Sequence, residues 1–375
     1  MGLIMAVKIF HCADIHLDTP FSLSPLKAEK RNSELRVAFG NAITYAKDKE
    51  VDLFFIAGDL FDGRYVTIET AEWVISEISK LKNCKFFITP GNHDPYIEES
   101  PYRLLSWPEN VKIFTDKERV EIPELGVDVY GCGFTSNSFT DSPVLGYPTL
   151  NEDRINILVC HGDVGMPLSK DGPILLSDIE KSGFDYIALG HIHQSEGVNV
   201  VGKTSYAYSG CIEGRGFDEL GYKGALFGTV SKGEVSLKGI RLSQKRFEIV
   251  RVTMDPFATK LELIETIKKN IKMFGSDTSL RIVIEGEMPE GVIITLSDID
   301  NLPDRPHFIE IVDETYPHAE LGDIENEMTL RGVFYSMMKE HIENNEEERK
   351  VALMALRYGL SALADRNIVD YGTQN

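Results

Sequence analysis

The chain has 375 residues, of which 42% are apolar and 26% charged, an ordinary globular composition that excludes disordered, collagenous and low-complexity proteins and leaves room for two or three domains. Lys and Arg number 39 against 59 Asp and Glu, a formal charge of −20, so the surface as a whole repels polyanions and a simple nucleic-acid-binding module is disfavoured. No apolar run approaches the ~18 residues of a membrane span, and the longest, Asp52 to Ala57 and Ile155 to Cys160, are of strand length.

The N-terminus, MGLIMAVKIF, runs into Asp14 and His16 without a basic segment or a small-residue cleavage site, so no signal peptide is expected. Ala6 stands where a myristoylation signal requires Ser or Thr. Cys12, Cys84, Cys132, Cys160 and Cys211 are odd in number and far apart. That speaks against a disulfide framework or a zinc knuckle and fits a reducing cytoplasm.

In chain order, the first half repeats a short apolar run, a polar loop and often an amphipathic helix. Strands are expected at Ala6 to Cys12, Val51 to Ala57, Lys85 to Thr89, Val127 to Gly131, Asn156 to Cys160 and Tyr186 to Leu189. Leu35, Phe39, Ala42 and Ala46 share one helical face, and a second helix is expected over Glu69 to Leu81. This alternation predicts an α/β domain with a covered sheet, whose ligands gather at the carboxyl ends of the strands. After residue 203 strand-like runs follow one another, Ala225 to Val230 and Val235 to Arg241, and the α/β unit closes near residue 245.

Residues 246–325 read as a small α+β domain: a strand, a helix at Thr259 to Phe274, strands at Leu280 to Glu285 and Gly291 to Leu296, a Pro-broken loop, and a strand at His307 to Val312. By direct count 246–330 is the most acidic part, with 8 basic and 18 acidic residues. Residues 326–375 read as two helices around the acidic stretch Glu343 to Glu348. Leu330, Val333, Phe334, Met337, Met338 and His341 recur at helical spacing, as do Leu353, Leu356, Leu360 and Leu363. Val351, Met354, Ala355 and Tyr358 widen the second stripe, so a partner protein, the protein's own body or a second copy must cover it.

Five loops carry the chemistry: Asp14-Ile15-His16, Gly58-Asp59-Leu60-Phe61-Asp62, Gly91-Asn92-His93-Asp94, His161-Gly162-Asp163 and Gly190-His191-Ile192-His193. Each follows a strand-like run and offers oxygen or imidazole donors. If the strands are neighbours, the donors converge on one rim and can form two adjacent metal sites bridged by a carboxylate. Gly58, Gly91, Gly162 and Gly190 let the backbone turn sharply there. The donors are nitrogen and oxygen with no thiolate, which favours manganese or iron, although imidazole accepts zinc.

The ordered blocks D-x-H, G-D-x-x-D, G-N-H-D, a His loop and G-H-x-H are all present, and over residues 8 to about 230 the sequence resembles the calcineurin-like metallophosphoesterase superfamily. FHCADIHLD, IAGDLFD, TPGNHDP and YSGCIEGRGFDELGYKG are most similar to its SbcD and YhaO-like branch of DNA-repair exonucleases, with Cys211 where that branch usually has Ser. The resemblance implies a four-layer α/β sandwich over 1–245, two mixed sheets flanked by helices, with 246–325 as a capping and substrate-recognition domain and 326–375 as a helical partner-binding segment. It implies two divalent metal ions, with Asp14, His16 and His193 holding the first, Asn92, His161 and His191 the second, and Asp59 bridging. His93 would act on the leaving group and Asp62 would orient it.

The implied activity is a manganese-dependent phosphodiesterase, a DNA exonuclease or endonuclease working with an SbcC-like coiled-coil ATPase. A nucleotide or cyclic-nucleotide phosphodiesterase or phosphatase and a non-catalytic scaffold are the alternatives. A basic stripe of Lys268, Lys269 and Lys272 is a candidate DNA contact, against the plainer reading of a solvated helix face. Asp94 reads as a capping or loop acid, and His11 as a hydrogen-bonded structural histidine. No role is assigned to His307, His318 or His341.

Overall fold

Alternation along β1 (Val7–Cys12) and β2 (Leu53–Ala57) places Ile9, Leu53, Phe55 and Ala57 on one face and Phe10, Cys12, Phe54 and Ile56 on the other, all buried. A strand apolar on both faces needs cover on both, and this requirement builds the layers. The computed structural model describes residues 6–255, 257–288, 292–299, 306–317, 324, 327–344 and 348–363. Residues 1–5, His318 and 345–347 of the acidic stretch lie outside these, as do most of the Pro-broken loop and the side chain of Met354.

The described residues divide into two compact units, up to Arg246 and from Phe247 onward. In the first, one six-stranded sheet has the order β14 (Glu234–Arg241), β13 (Gly224–Ser231), β1, β2, β3 (Lys85–Thr89), β4 (Val111–Ile113). β1 to β4 run parallel, and β13 and β14 are antiparallel additions. The second sheet has the order β11 (Asn199–Val201), β12 (Thr204–Tyr208), β10 (Tyr186–Gly190), β7 (Ile155–His161), β6 (Val127–Cys132), β5 (Glu118–Ile122). Its four inner strands are parallel and both edges antiparallel.

The inner faces of the two sheets pack on each other through Ile9, Phe55, Phe87, Val129, Ile157 and Ala188. Helices α1 (Pro25–Asp48) and α2 (Ile68–Ile78) cover the outer face of the first sheet, and the second sheet's outer face carries α4 (Leu176–Ser182). Leu35, Ala38, Phe39, Ala42, Ile43 and Ala46 recur every three or four residues on α1 and are all buried. The short α3 (Pro101–Leu104) follows the third metal-ligand-type loop, and the two-residue strands β8 (Asp163–Val164) and β9 (Pro173–Ile174) follow β7. The chain is therefore an α/β fold with two mixed sheets flanked by helices.

The second unit holds a sheet of β15 (Arg246–Met254), β16 (Thr278–Met288) and β17 (Phe308–Pro317) with α5 (Lys260–Ile271) packed on it through Leu263, Ile264, Ile267 and Ile271. Thr259 and Glu262 form a capping box that starts α5. The strand expected at Gly291 to Leu296 is not formed among the described residues: 292–295 is irregular and leads into a 3-10 turn at Leu296–Asp298. Of its apolar residues Ile294 is buried in the cluster under α5, with Ile299 just beyond it, whereas Ile293 and Leu296 stay exposed. Thr295 and Asp298 cap the turn instead of pairing with a sheet. The tail contributes α6 (Leu330–Asn344) and α7 (Arg349–Leu363), joined by a cluster that includes Tyr335, Phe334, Met338, Leu356 and Leu360.

Candidate metal centre and active site

β1, β2, β3, β7 and β10 are all parallel within their sheets, so their carboxyl ends meet on one edge of the sandwich. The five loops start there. Amides of the first loop are tied to the second, Asp14 N–H to Gly58 O at 3.1 Å, Ile15 N–H to Asp59 O at 2.8 Å and His16 N–H to Asp59 O at 3.0 Å. Across the two sheets, His161 Nδ1 lies 2.9 Å from Ala57 O.

These ties hold an unusual backbone. Asp14, His16, Asp59 and His191 all have positive φ, at 52°, 49°, 52° and 109°, a region that costs a non-glycine residue about 1–3 kcal/mol and persists only where the surroundings enforce it. Two glycines are required by close approach: a Cβ on Gly58 would fall 2.1 Å from the His161 ring, and one on Gly91 2.2 Å from Asp59 Oδ1.

The side chains converge accordingly. His16 Nε2 is 3.3 Å from His193 Nε2 and 3.6 Å from Asp59 Oδ2, and His161 Nε2 is 3.5 Å from the same Asp59 oxygen and 2.9 Å from Asn92 Oδ1. Asp14, His16 and His193 form one group of donor atoms within 4.8 Å of each other, and Asp14, Asp59 and His161 another. His191 places its ring 5.2 Å from that of His161 and donates its backbone N–H to Asp14 at 3.0 Å. Asp14 is the residue these two groups share, and His16, Asp62 and His93 form a third group beside them. Asp59 Oδ2, about equally far from His16 and His161, is the carboxylate oxygen placed between the imidazoles.

The cluster fits divalent cations on its own chemistry. Asp14 and Asp59 are each 1% exposed. Burial and the neighbouring Asp59 charge push the Asp14 carboxyl up to about 6 although His161 and His193 oppose the rise. Burial, then the Arg215 charge and the surrounding imidazoles, hold His16 well below the usual histidine range, which keeps it a neutral donor fit for a metal. The buried Nδ1 of His16 has no hydrogen-bond partner. Two carboxylates set among imidazoles suit a dinuclear divalent-metal site.

Next to it, His93 Nδ1 and Asp62 Oδ1 are 3.4 Å apart, and Thr19 Oγ1 donates to Asp62 Oδ2 at 2.9 Å. The Asp62 hydrogen bond raises His93 above the usual histidine range against the effect of burial. Burial would raise Asp62, but the bonds from His93 and Thr19 outweigh it and hold its carboxyl low. A cavity of about 810 Å³ opens beside this pair, walled by Phe61, Tyr65, Val66, Pro95 and Ile97, with Arg64 at Tyr65.

Asp94, expected as a loop acid, is a buried hub: its carboxylate accepts the N–H groups of Gly91, Asp59 and Phe61 at 2.7, 3.2 and 3.0 Å and the Tyr102 hydroxyl. His11 is structural, with Nδ1 2.8 Å from the Tyr186 hydroxyl and Nε2 3.1 Å from Leu189 O. His307 pairs its N–H with Thr278 O, and His341 meets Glu348 at 3.0 Å, both in the second unit. Sequence reasoning did not single out Glu219 and Arg215, which lie behind His193: Glu219 Oε1 is 2.6 Å from His193 Nδ1 and 2.9 Å from an Arg215 terminal nitrogen. Their signal was the acid and base in EGRGFDE, quoted above only as a mark of resemblance.

The profile of the family described as calcineurin-like phosphoesterase matches residues 7–195. The chain is 27% identical over 304 residues to "Uncharacterized metallophosphoesterase YhaO" of Bacillus subtilis, covering 76% of this chain and 74% of that protein. It is 27% identical over 299 residues to "DNA double-strand break repair protein Mre11" of Saccharolobus solfataricus, covering 75% and 76%. The crystal structure of TT1561 of Thermus thermophilus aligns with a TM-score of 0.39 at 13% identity, over 60% of this chain and 99% of that one.

Proposed function

Because this chain belongs to the calcineurin-like phosphoesterase family and is a metal-dependent phosphoester hydrolase, we propose that it is a manganese-dependent DNA nuclease that acts with an SbcC-like ATPase. The observation that carries hydrolysis of a poor leaving group is the His93–Asp62 pair beside the donor cluster, facing the cavity of about 810 Å³. That volume suits a nucleoside-sized group, and its aromatic and apolar walls suit a base. The similarity to a relative named for DNA double-strand break repair supports DNA as the polymer.

Asp14, His16 and His193 would hold one ion and Asn92, His161 and His191 the other, with Asp59 as the ligand they would share. Asn92 contributes a neutral donor, so two ligating carboxylates leave the pair of cations with excess positive charge for a phosphate. The two ions, when bound, supply a nucleophile from water at neutral pH and neutralise charge on the phosphoryl oxygens. His93 gives its proton to the departing alkoxide oxygen, and Asp62 keeps the imidazole aimed and protonated for that step.

Recognition of the strand is assigned to the unit from Phe247 onward, with Lys268, Lys269 and Lys272 of α5 as candidate phosphate contacts. Capture of the ATPase is assigned to the tail. Leu330, Val333 and Met337 recur on one face of α6 and are 73%, 56% and 67% exposed, whereas Phe334, Tyr335 and Met338 turn inward. An exposed stripe at that spacing suits a helix-in-groove partner such as the base of a coiled coil.

A second reading, a nucleotide or cyclic-nucleotide phosphodiesterase, is favoured by the net charge of −20, a poor platform for a long polyanion. Manganese-dependent hydrolysis of labelled single-stranded and duplex DNA, beside a panel of mononucleotides and cyclic nucleotides, separates the two. Activity on the panel alone overturns the nuclease reading. Activity on neither overturns both and leaves a scaffold role.

A further inference from the structure

We infer that Glu219 is a positioning residue for the metal site, whose carboxylate selects the His193 tautomer that turns the Nε2 lone pair toward Asp14 and His16. The inference rests on the reading of His193 as a ligand.

His193 Nδ1 has two neighbours with opposite demands. Glu219 Oε1, at 2.6 Å, can only accept a hydrogen bond from it, whereas the Arg215 terminal nitrogen, at 3.0 Å, can only donate. If Nδ1 accepted from Arg215, the proton of a neutral ring would sit on Nε2, 3.3 Å from His16 Nε2, where it would block coordination. If Nδ1 donates to Glu219, Nε2 is left bare for a cation.

The surrounding contacts decide between them. Glu219 is 3% exposed and already collects the donors of Arg215: its backbone N–H at 2.7 Å, Nε at 3.2 Å and a terminal nitrogen at 2.9 Å. Arg215 thus turns its Nε and a terminal nitrogen to Glu219, and of the two neighbours of His193 Nδ1 the carboxylate is the nearer, at 2.6 Å against 3.0 Å. The same segment grips the backbone beside the ring, since Lys223 Nζ donates to His193 O at 3.2 Å and to Gln194 Oε1 at 2.8 Å, and Cys211 N–H donates to His193 O at 3.3 Å. Residues 211–223 thus act as a strap behind the Gly190-His191-Ile192-His193 loop, in the role that outer carboxylates take behind metal-binding histidines.

The first test needs no variant. In metal-free protein, histidine nitrogen chemical shifts should show His193 carrying its proton on Nδ1; a proton on Nε2 overturns the inference. Manganese titration then reads the consequence. Glu219→Ala leaves Arg215 as the only partner of Nδ1, so one of two ions should bind about 10- to 100-fold more weakly, the usual cost of losing such a partner, while the other is unchanged. Glu219→Ala with Arg215→Ala removes the competing donor as well and should recover most of that loss, which mere structural damage would not do.

Unchanged affinity for both ions in Glu219→Ala, or a double variant no better than the single one, overturns the inference. His193→Ala is the control on the underlying reading. If it also binds two ions at full affinity, His193 is not a ligand; if it loses one while Glu219→Ala does not, only the role of Glu219 fails.

Discussion

His93 Nδ1 faces Asp62 Oδ1 at 3.4 Å on the rim of the donor cluster, and the two residues belong to loops that follow different strands, β3 and β2. The ring is half exposed toward the cavity, while its backbone N–H donates to Asp59 Oδ1 at 2.9 Å. With a main-chain tie to Asp59 and a ring that reaches the cavity from Asp62, His93 is proposed to serve the leaving oxygen.

Replacing His93 with Ala should therefore leave two bound ions while lowering turnover on a nucleic-acid substrate by about 10²- to 10⁴-fold, the worth of a positioned acid. A nitrophenyl diester, whose leaving group needs little protonation, should lose much less. Equal losses on both substrates would reassign His93 to binding.

Asp59 Oδ2 lies 3.6 Å from His16 Nε2 and 3.5 Å from His161 Nε2, and Asp59 is the carboxylate proposed to bridge the two ions. Asp59→Asn should remove most of the bound metal and all turnover, because a neutral amide cannot join two cations as a carboxylate does. Metal analysis of the purified variant decides it, and two tightly held ions would refute the bridging role.

Gly91→Ala tests the same carboxylate from behind, since the added methyl falls 2.2 Å from Asp59 Oδ1 and 2.9 Å from its backbone nitrogen. Overpacking of this kind costs about 1–3 kcal/mol. Calorimetry should show a lower melting temperature, and titration a weakened metal pair; an unchanged metal pair would mean that the carboxylate moves freely.

Glu213 provides a pH test away from the metal site. It is 1% exposed, and burial pushes its carboxyl up to about 7 against the backbone hydrogen bond from Gln244 and the Arg31 charge. The folded state therefore holds this proton more tightly than the unfolded chain. Its stabilising share is complete below the ordinary glutamate range and is lost as pH rises through about 7. Glu213→Gln should remove this part of the slope, measured by denaturant unfolding between pH 5 and 8, with a gain at the alkaline end of at most on the order of a few kcal/mol. Parallel pH profiles for the two proteins would contradict the assignment.

On α6, Val333→Asp with Met337→Asp places charge on the exposed stripe without touching the buried Tyr335. Hydrolysis of a small diester should be unchanged, while capture of an SbcC-like ATPase, read by co-sedimentation, is abolished. Retained capture would send the docking site elsewhere.

What the sequence by itself determined is where the candidate donors stand and what supports them. Asp14, His16, Asp59, Asn92, His161, His191 and His193 follow apolar runs, and a continuous run such as Leu53–Ala57, buried at every residue, leaves a parallel, covered sheet as the natural answer. Edge strands β5 and β11 were not foreseen because they are only partly buried and mix polar with apolar residues, whereas the longer edge strand β14 was. At 292–295 the apolar signature was present, but Ile294 packs under α5 without pairing and Ile293 is left exposed.

Tertiary structure alone decided which donors meet. The two sheets bring His161 against Asp59 over a separation of 102 residues, and the strap sets Glu219, 26 residues further along the chain, on His193. Local periodicity encodes which face of a strand is buried; it carries no information on which of five loops will share a cation, because that depends on the order and stacking of strands far apart in the chain.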